Sequence, residues 1–167
     1  MLKKLLFLVS ISVFLASCTT RQVMTSNRGT YSEAKNYVLS PKVQQLLTTA
    51  ESYMGTPYKF GGTTKSGMDC SGLVSVVFES QKISLPRVTR DQATAGKKIS
   101  LREAVPGDLL FFATSGGSRI THVGIVHDIE SDGSINFIHA STSRGVIVSP
   151  FNLKYWQDSF ITARRVL

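Results

Sequence analysis

Cys70 stands in Asp69-Cys70-Ser71-Gly72-Leu73-Val74, where a glycine-rich turn gives way to a helix-like apolar run. A thiol in the first turn of a helix feels the positive end of the helix dipole, which favours the thiolate, the form that attacks a carbonyl carbon. Two downstream histidines on strand-like segments, His122 and His139, offer a base and an orienting group. The competing reading makes Cys70 a small buried hydrophobe, since free cysteine is among the most buried residue types. A metal site built from Cys70, His122 and His139 is disfavoured, because one cysteine and two widely spaced histidines match no compact ligand motif. The expectation is therefore a chemistry that needs neither metal nor cofactor.

The N-terminal residues bear on that choice. Met1-Leu2-Lys3-Lys4 is followed by an apolar stretch too short to span a bilayer, so residues 1–17 read as a secretory signal. Leu15-Ala16-Ser17-Cys18 resembles the lipobox of bacterial lipoproteins, in which cleavage leaves the cysteine as a lipid-modified N-terminus. Several acyl chains on Cys18 would hold the protein to a membrane. A lipidated Cys18 cannot pair with Cys70, the only other cysteine, which leaves Cys70 a lone thiol in an oxidising compartment. Thr19, where an aspartate would suggest inner-membrane retention in some bacteria, points to an outer-membrane anchor facing the periplasm.

Removal of residues 1–17 leaves 150 residues, enough for one domain with its own core. The formal charge of +8 falls to +6 with the loss of Lys3 and Lys4. That balance favours anionic surfaces such as headgroups or wall polymers. The basic residues are scattered, which together with export argues against nucleic acid as a partner. Residues 18–39, rich in Thr, Ser, Arg and Asn, read as a lipidated N-terminus and flexible tether, and residues 40–167 as the folded unit.

Within that unit, Ser40-Pro41 supplies an N-cap and first-turn proline for a helix that Gly55 closes. A second, mostly apolar helix runs from Cys70 to about Gln81, with Gly72 permitting close approach of another backbone or a substrate. A short helix follows Thr89. From Pro106 onward the segments at 108–112, 122–127, 135–139, 145–148 and 160–163 read as strands, with Ser131-Asp132-Gly133-Ser134 as a hairpin signal. Helices first and an antiparallel sheet after predict an α+β domain. Strand alternation places His122 and Gly124 on one face and Val123, Ile125 and His127 on the other, so His122 and His127 cannot both serve Cys70. Gly124 leaves the His122 face open, whereas His127, next to Asp128 at a strand end, reads as a surface histidine. His139 is placed where its side chain could reach the back of the His122 ring.

Five segments in order, Tyr58-Lys59-Phe60-Gly61-Gly62, Asp69-Cys70-Ser71-Gly72, Leu85-Pro86-Arg87, Pro106 to Phe112 and His122-Val123-Gly124-Ile125, resemble the NlpC family of bacterial cell-wall peptidases over about residues 42–166. The resemblance implies a papain-like fold, with N-terminal helices packed on the sheet and the nucleophile at the start of the central helix. It implies Cys70 as nucleophile, His122 as base and then acid, His139 as the orienting group, and Tyr58 in the oxyanion hole beside the Cys70 N–H. The alternative for Tyr58 is a core aromatic behind Pro57. Asp69 and Ser71 are candidates for substrate contact, and Asp69 equally for the helix cap. The implied substrate is an amide bond in the stem peptide or cross-link of peptidoglycan, cut by a monomer. The alternatives are a catalytically idle wall- or partner-binding lipoprotein, and an amidase or acyltransferase on the same scaffold.

Overall fold

The computed structural model describes residues 38–167. The leader, Cys18 and the tether as far as residue 37 lie outside the described residues. Helix α1 (Pro41–Glu51) opens as its sequence dictates, with the Ser40 hydroxyl accepting the Val43 N–H at 3.3 Å and Pro41 in the first turn. The chain then turns through Gly55, whose φ of 77° suits only a residue without a Cβ. A two-residue hairpin, β1 (Thr63–Thr64) and β2 (Gly67–Met68), leads into α2 (Cys70–Glu79), and α3 (Thr89–Gln92) follows after a loop.

The rest of the chain is mostly sheet: β3 (Lys97–Ile99), a 3-10 turn (Leu101–Glu103), β4 (Leu109–Phe112), β5 (His122–Ile129), β6 (Ile135–Ser141), β7 (Gly145–Pro150), α4 (Lys154–Ser159) and β8 (Phe160–Arg165). These strands make one six-stranded sheet in the order β3-β8-β4-β5-β6-β7, antiparallel throughout. The expected α+β arrangement is therefore present. The hairpin at 131–134 closes β5 to β6, with Gly133 at φ 87° and the Ser134 N–H on Asp132 Oδ1 at 2.8 Å. Four of these elements escape the sequence pattern. The β1–β2 pair and β3 are too short to alternate, and α4, under two turns long, cannot display helical periodicity.

Alternation along the strands builds two cores. Leu109, Phe111, Val123, Ile125 and Ile138 pack against α1 and α2, where Leu73, Val74, Val77 and Phe78 are wholly buried. Each such side chain contributes about 1.5–3 kcal/mol on leaving water, which outweighs the modest helix propensity of so many β-branched residues. On the other face Leu110, Phe112, Val126 and Phe137 pack under Trp156 of α4. A histidine can therefore belong to either layer, and the strand position decides which.

Gly72 lies where the main chain of the hairpin region crosses α2. A Cβ there would collide with the carbonyl oxygen of Gly62 and crowd Asp69 Oδ1. Gly72→Ala would gain roughly 1 kcal/mol of helix propensity, but the obstruction is backbone and overpacking of this kind costs typically 1–3 kcal/mol. The variant is expected to unfold at lower denaturant concentration than the native chain; a higher midpoint would show that the two segments are free to separate.

Candidate active site

The first turn of α2 is organised by one carboxylate. Asp69 Oδ1 accepts the Gly72 N–H at 2.7 Å, capping the helix, and also the Ser71 hydroxyl at 3.3 Å. Its Oδ2 accepts the Gly61 N–H at 2.7 Å and Arg87 Nη2 at 2.8 Å. Arg87 Nη1 donates to Ser71 Oγ at 2.8 Å, so one guanidinium holds the side chains on both sides of Cys70. Burial pushes the Asp69 carboxyl up, but the Arg87 bond and the N–H groups of Gly72 and Gly61 outweigh it and hold the group below its usual range. Asp69 and Ser71 are both buried and bonded within the protein, in the capping geometry anticipated for Asp69.

Cys70 Sγ lies 3.7 Å from the Thr89 hydroxyl and 4.0 Å from the Thr121 carbonyl oxygen, and the Val123 N–H reaches it as well. Thr121 and Val123 flank His122, so the nucleophile candidate is seated on the main chain where β5 begins. Tyr58 is close enough to interact electrostatically with both Cys70 and Asp69. Its strand-like bridge to Met68 and the bonds Met68 N–H to Pro57 O (3.0 Å) and Lys59 N–H to Met68 O (3.1 Å) tie its segment to the residues just before Cys70. Burial, then Cys70 and Asp69, raise the Tyr58 hydroxyl, so it stays a proton donor at neutral pH.

The histidines form a relay. His122 Nε2 lies 2.9 Å from His139 Nδ1, and His139 Nε2 lies 3.0 Å from the buried Ser149 Oγ. The His122 ring stacks on Trp156 at 5.4 Å between centroids, and Trp156 meets the His139 ring edge-on at 4.9 Å. Both rings thus pack in the α4 layer, while Cys70 comes from the α2 layer. His127 goes elsewhere: a bulge between Val126 and Asp128 interrupts the strand, and its ring bonds Asp128 at 2.6 Å and Glu51 of α1 at 2.8 Å. Alternation separates the two histidines as expected. What selects His122 is its place at the start of β5, not its face, since His127 is the one turned toward the helices.

Two expectations need correction. The space beside Gly124 is not open: a Cβ there would strike the Phe137 ring and crowd the Ile138 carbonyl and the His139 Cβ, so this glycine admits β6 rather than a ligand. Nor is the Cys70 thiol acidified by its helix terminus. Burial pushes it up, the Thr89 hydroxyl and the Val123 and Ser71 N–H groups pull it down, and Asp69 pushes it up again, leaving it above its ordinary value of 9.0. The sequence reasoning did not single out Thr89, Ser149 or Trp156. Hydroxyls and a lone tryptophan carry no spacing signal of their own, and the β6–β7 register that brings Ser149 beside His139 appears only in the folded sheet.

Burial holds His122 at about 4 and His139 at about 3, with His122 and Arg144 also disfavouring charge on His139. In the unfolded chain both imidazoles bind a proton near pH 6.5. Between pH 4 and 6.5 the unfolded state therefore binds more protons, and stability falls as pH drops through that window. Unfolding at pH 5 is expected to take up nearly two protons through these groups, a slope of roughly 2–3 kcal/mol per pH unit, readable from denaturant midpoints. His127 runs the other way. Burial lowers it but Asp128 and Glu51 raise it further, so its stabilisation is present below pH 6.5 and is lost as pH rises through its folded value. The raised thiol makes a separate prediction: alkylation of Cys70 by iodoacetamide should accelerate continuously from pH 7 to 9. A rate already at its plateau at pH 6 would reveal a preformed thiolate instead.

A model of the NlpC/P60 family matches residues 55–165. The probable endopeptidase NlpC of Escherichia coli K12 is 46% identical over 117 residues, covering 70% of this chain and 73% of that protein. The E. coli K12 protein named murein DD-endopeptidase MepS/murein LD-carboxypeptidase is 35% identical, covering 95% of this chain and 89% of its own length. Among solved structures, an NlpC/P60 family protein from Bacillus cereus superposes with a TM-score of 0.69 at 31% identity over 79% of this chain, which spans only 42% of that larger protein. The motif order, the α+β architecture and these likenesses agree: the chain belongs to the NlpC/P60 family.

Proposed function

We propose that the protein hydrolyses an amide bond in the stem peptide or cross-link of peptidoglycan, with Cys70 as nucleophile, His122 as general base and acid, and His139 as its orienting group. The observation that carries this reading is the relay from His122 through His139 to Ser149, with the Cys70 sulfur seated on the main chain that bears His122. The substrate class rests on relatives, one of which is named for murein.

The relay limits how His122 can work. Both imidazoles are neutral, so each carries one N–H. If His139 Nε2–H donates to Ser149, its Nδ1 must accept from His122 Nε2–H. The lone pair of His122 Nδ1 is then free to take the thiol proton. As the Sγ–C bond forms, that proton moves to His122 and the carbonyl oxygen becomes an oxyanion. The Cys70 N–H and the Tyr58 hydroxyl stabilise it, each such donor being worth roughly 10²–10³ in rate. His122 returns the proton to the nitrogen as the C–N bond breaks and the amine leaves. Water, deprotonated by His122, then cleaves the thioester and regenerates the thiol. We also propose that Cys18 carries a lipid that holds the domain to the outer membrane, facing the periplasm.

The test is incubation of purified muropeptides with the protein and its Cys70→Ala variant, with products identified by mass. Stem or cross-link fragments from the native chain, and at least about 10³-fold fewer from the variant, are expected. No product from the native chain would favour a wall-binding role; equal activity in the variant would remove the thiol mechanism.

A further inference from the structure

A second binding feature lies beyond the histidines. A cavity of about 330 Å³ has His122 and His139 in one wall, with Ser141, Arg144, Tyr155 and Trp156 around the remainder. Neither Cys70 nor Tyr58 is among its described walls. Its lining includes no carboxylate, and Arg144 is its one permanent cation. Among the described residues the exposed Arg144 side chain makes no hydrogen bond or ion pair.

The main chain beneath Arg144 is fixed. Gly145 turns at φ 71° and lies against the Thr56 carbonyl, while the Val146 N–H bonds Thr56 O and the Gly55 N–H bonds Val146 O, each at 2.9 Å. The β6–β7 turn is thereby pinned to the connector that carries Tyr58. An unpartnered guanidinium on a held turn, beside the Ser141 hydroxyl and aromatic walls, is equipped to receive a planar anion through two parallel N–H donors. The position sets which part of a substrate could arrive. An acyl group must bond to Cys70, outside this cavity, whereas His122 must hand its proton to the departing amine. A group lodged past His122 is therefore attached to the amine side.

From this we infer that Arg144 is a specificity-determining residue that binds a carboxylate on the amino acid whose amine departs. The inference rests on the hydrolase reading given above. Two carboxylates share this chemistry: the α-carboxylate of a C-terminal residue, and the side-chain carboxylate of a diamino acid. The first source would make the enzyme release terminal residues; the second would let it cut within a chain.

The experiment uses matched stem peptides in which the departing residue carries a free or an amidated α-carboxylate and, separately, a free or an amidated side-chain carboxylate. Native protein, Arg144→Gln and Arg144→Lys are compared by kcat/KM on each. Arg144→Gln should lose about 10- to 100-fold on the peptide bearing the recognised carboxylate, mostly through KM, as for removal of a charged hydrogen bond. The same variant should match the native protein on the amidated counterpart, and Arg144→Lys should retain an intermediate preference. Whichever amidation erases the native preference identifies the source. Equal losses on free and amidated peptides would mean that Arg144 merely supports the fold, and no loss on any peptide would mean that the cavity stays empty; either overturns the proposal. Failure of the native protein to cleave any peptide would instead overturn the hydrolase reading on which it stands.

Discussion

The Asp69 carboxylate is the interaction on which the geometry around Cys70 depends. Its two oxygens accept from α2, the Gly61 loop and Arg87, joining three pieces of chain through one side chain. Energy is not the main consequence. A helix cap contributes about 1 kcal/mol, and an ion pair with the arginine side chain 40% exposed contributes little more. What the carboxylate fixes is direction: the first turn of α2 can point its N–H groups and its thiol only one way. The electrostatic effect opposes the chemistry, because an anion next to Cys70 disfavours a thiolate. Arg87, bonded to Asp69 and Ser71 together, offsets part of that charge where it arises.

Burial imposes the second constraint. It raises the thiol, lowers both imidazoles and so makes the resting pair neutral on each side. In the proposed reaction such a pair has no stored charge separation to desolvate when substrate enters, and the proton would move only as the new bond forms. Trp156 contributes to this state by stacking on His122 and packing edge-on against His139, which covers one side of each ring. The six residues of α4 thus matter for the site out of proportion to their length.

Much of this was legible in the sequence. Ser40-Pro41, Asp69 before an apolar run, and the change at Pro106 from helical to strand patterning each state a local rule that tertiary structure did not override. The pairing of Arg87 with Asp69 and Ser71, by contrast, joins residues 16–18 positions apart through an irregular loop, for which no periodicity exists. The depressed acidity of Cys70 was misjudged because a sequence shows the helix terminus but not how deeply the sulfur sits. Alternation alone sends His127 toward the helices and His122 away from them, so the sheet face by itself does not choose between the two histidines.

The resolution lies in how β5 is paired. Toward β4 its ladder runs to the very first residue, Phe112 opposite His122, whereas toward β6 it begins only at Ile125 opposite Ile138. The stretch from His122 to Gly124 is thus paired in the ladder on its β4 edge and outside it on its β6 edge. A fully zipped ladder would commit both edges to neighbouring strands and leave the sheet closed to a helix terminus. The part-open edge lets the sulfur of α2 reach the main chain around His122 from one layer, while the imidazoles occupy the other. Gly124 makes this compatible with a compact sheet, because without a Cβ it allows Phe137 and His139 to close in immediately below the gap. The thiol of one layer therefore reaches the main chain that carries an imidazole of the other, without either leaving its own core.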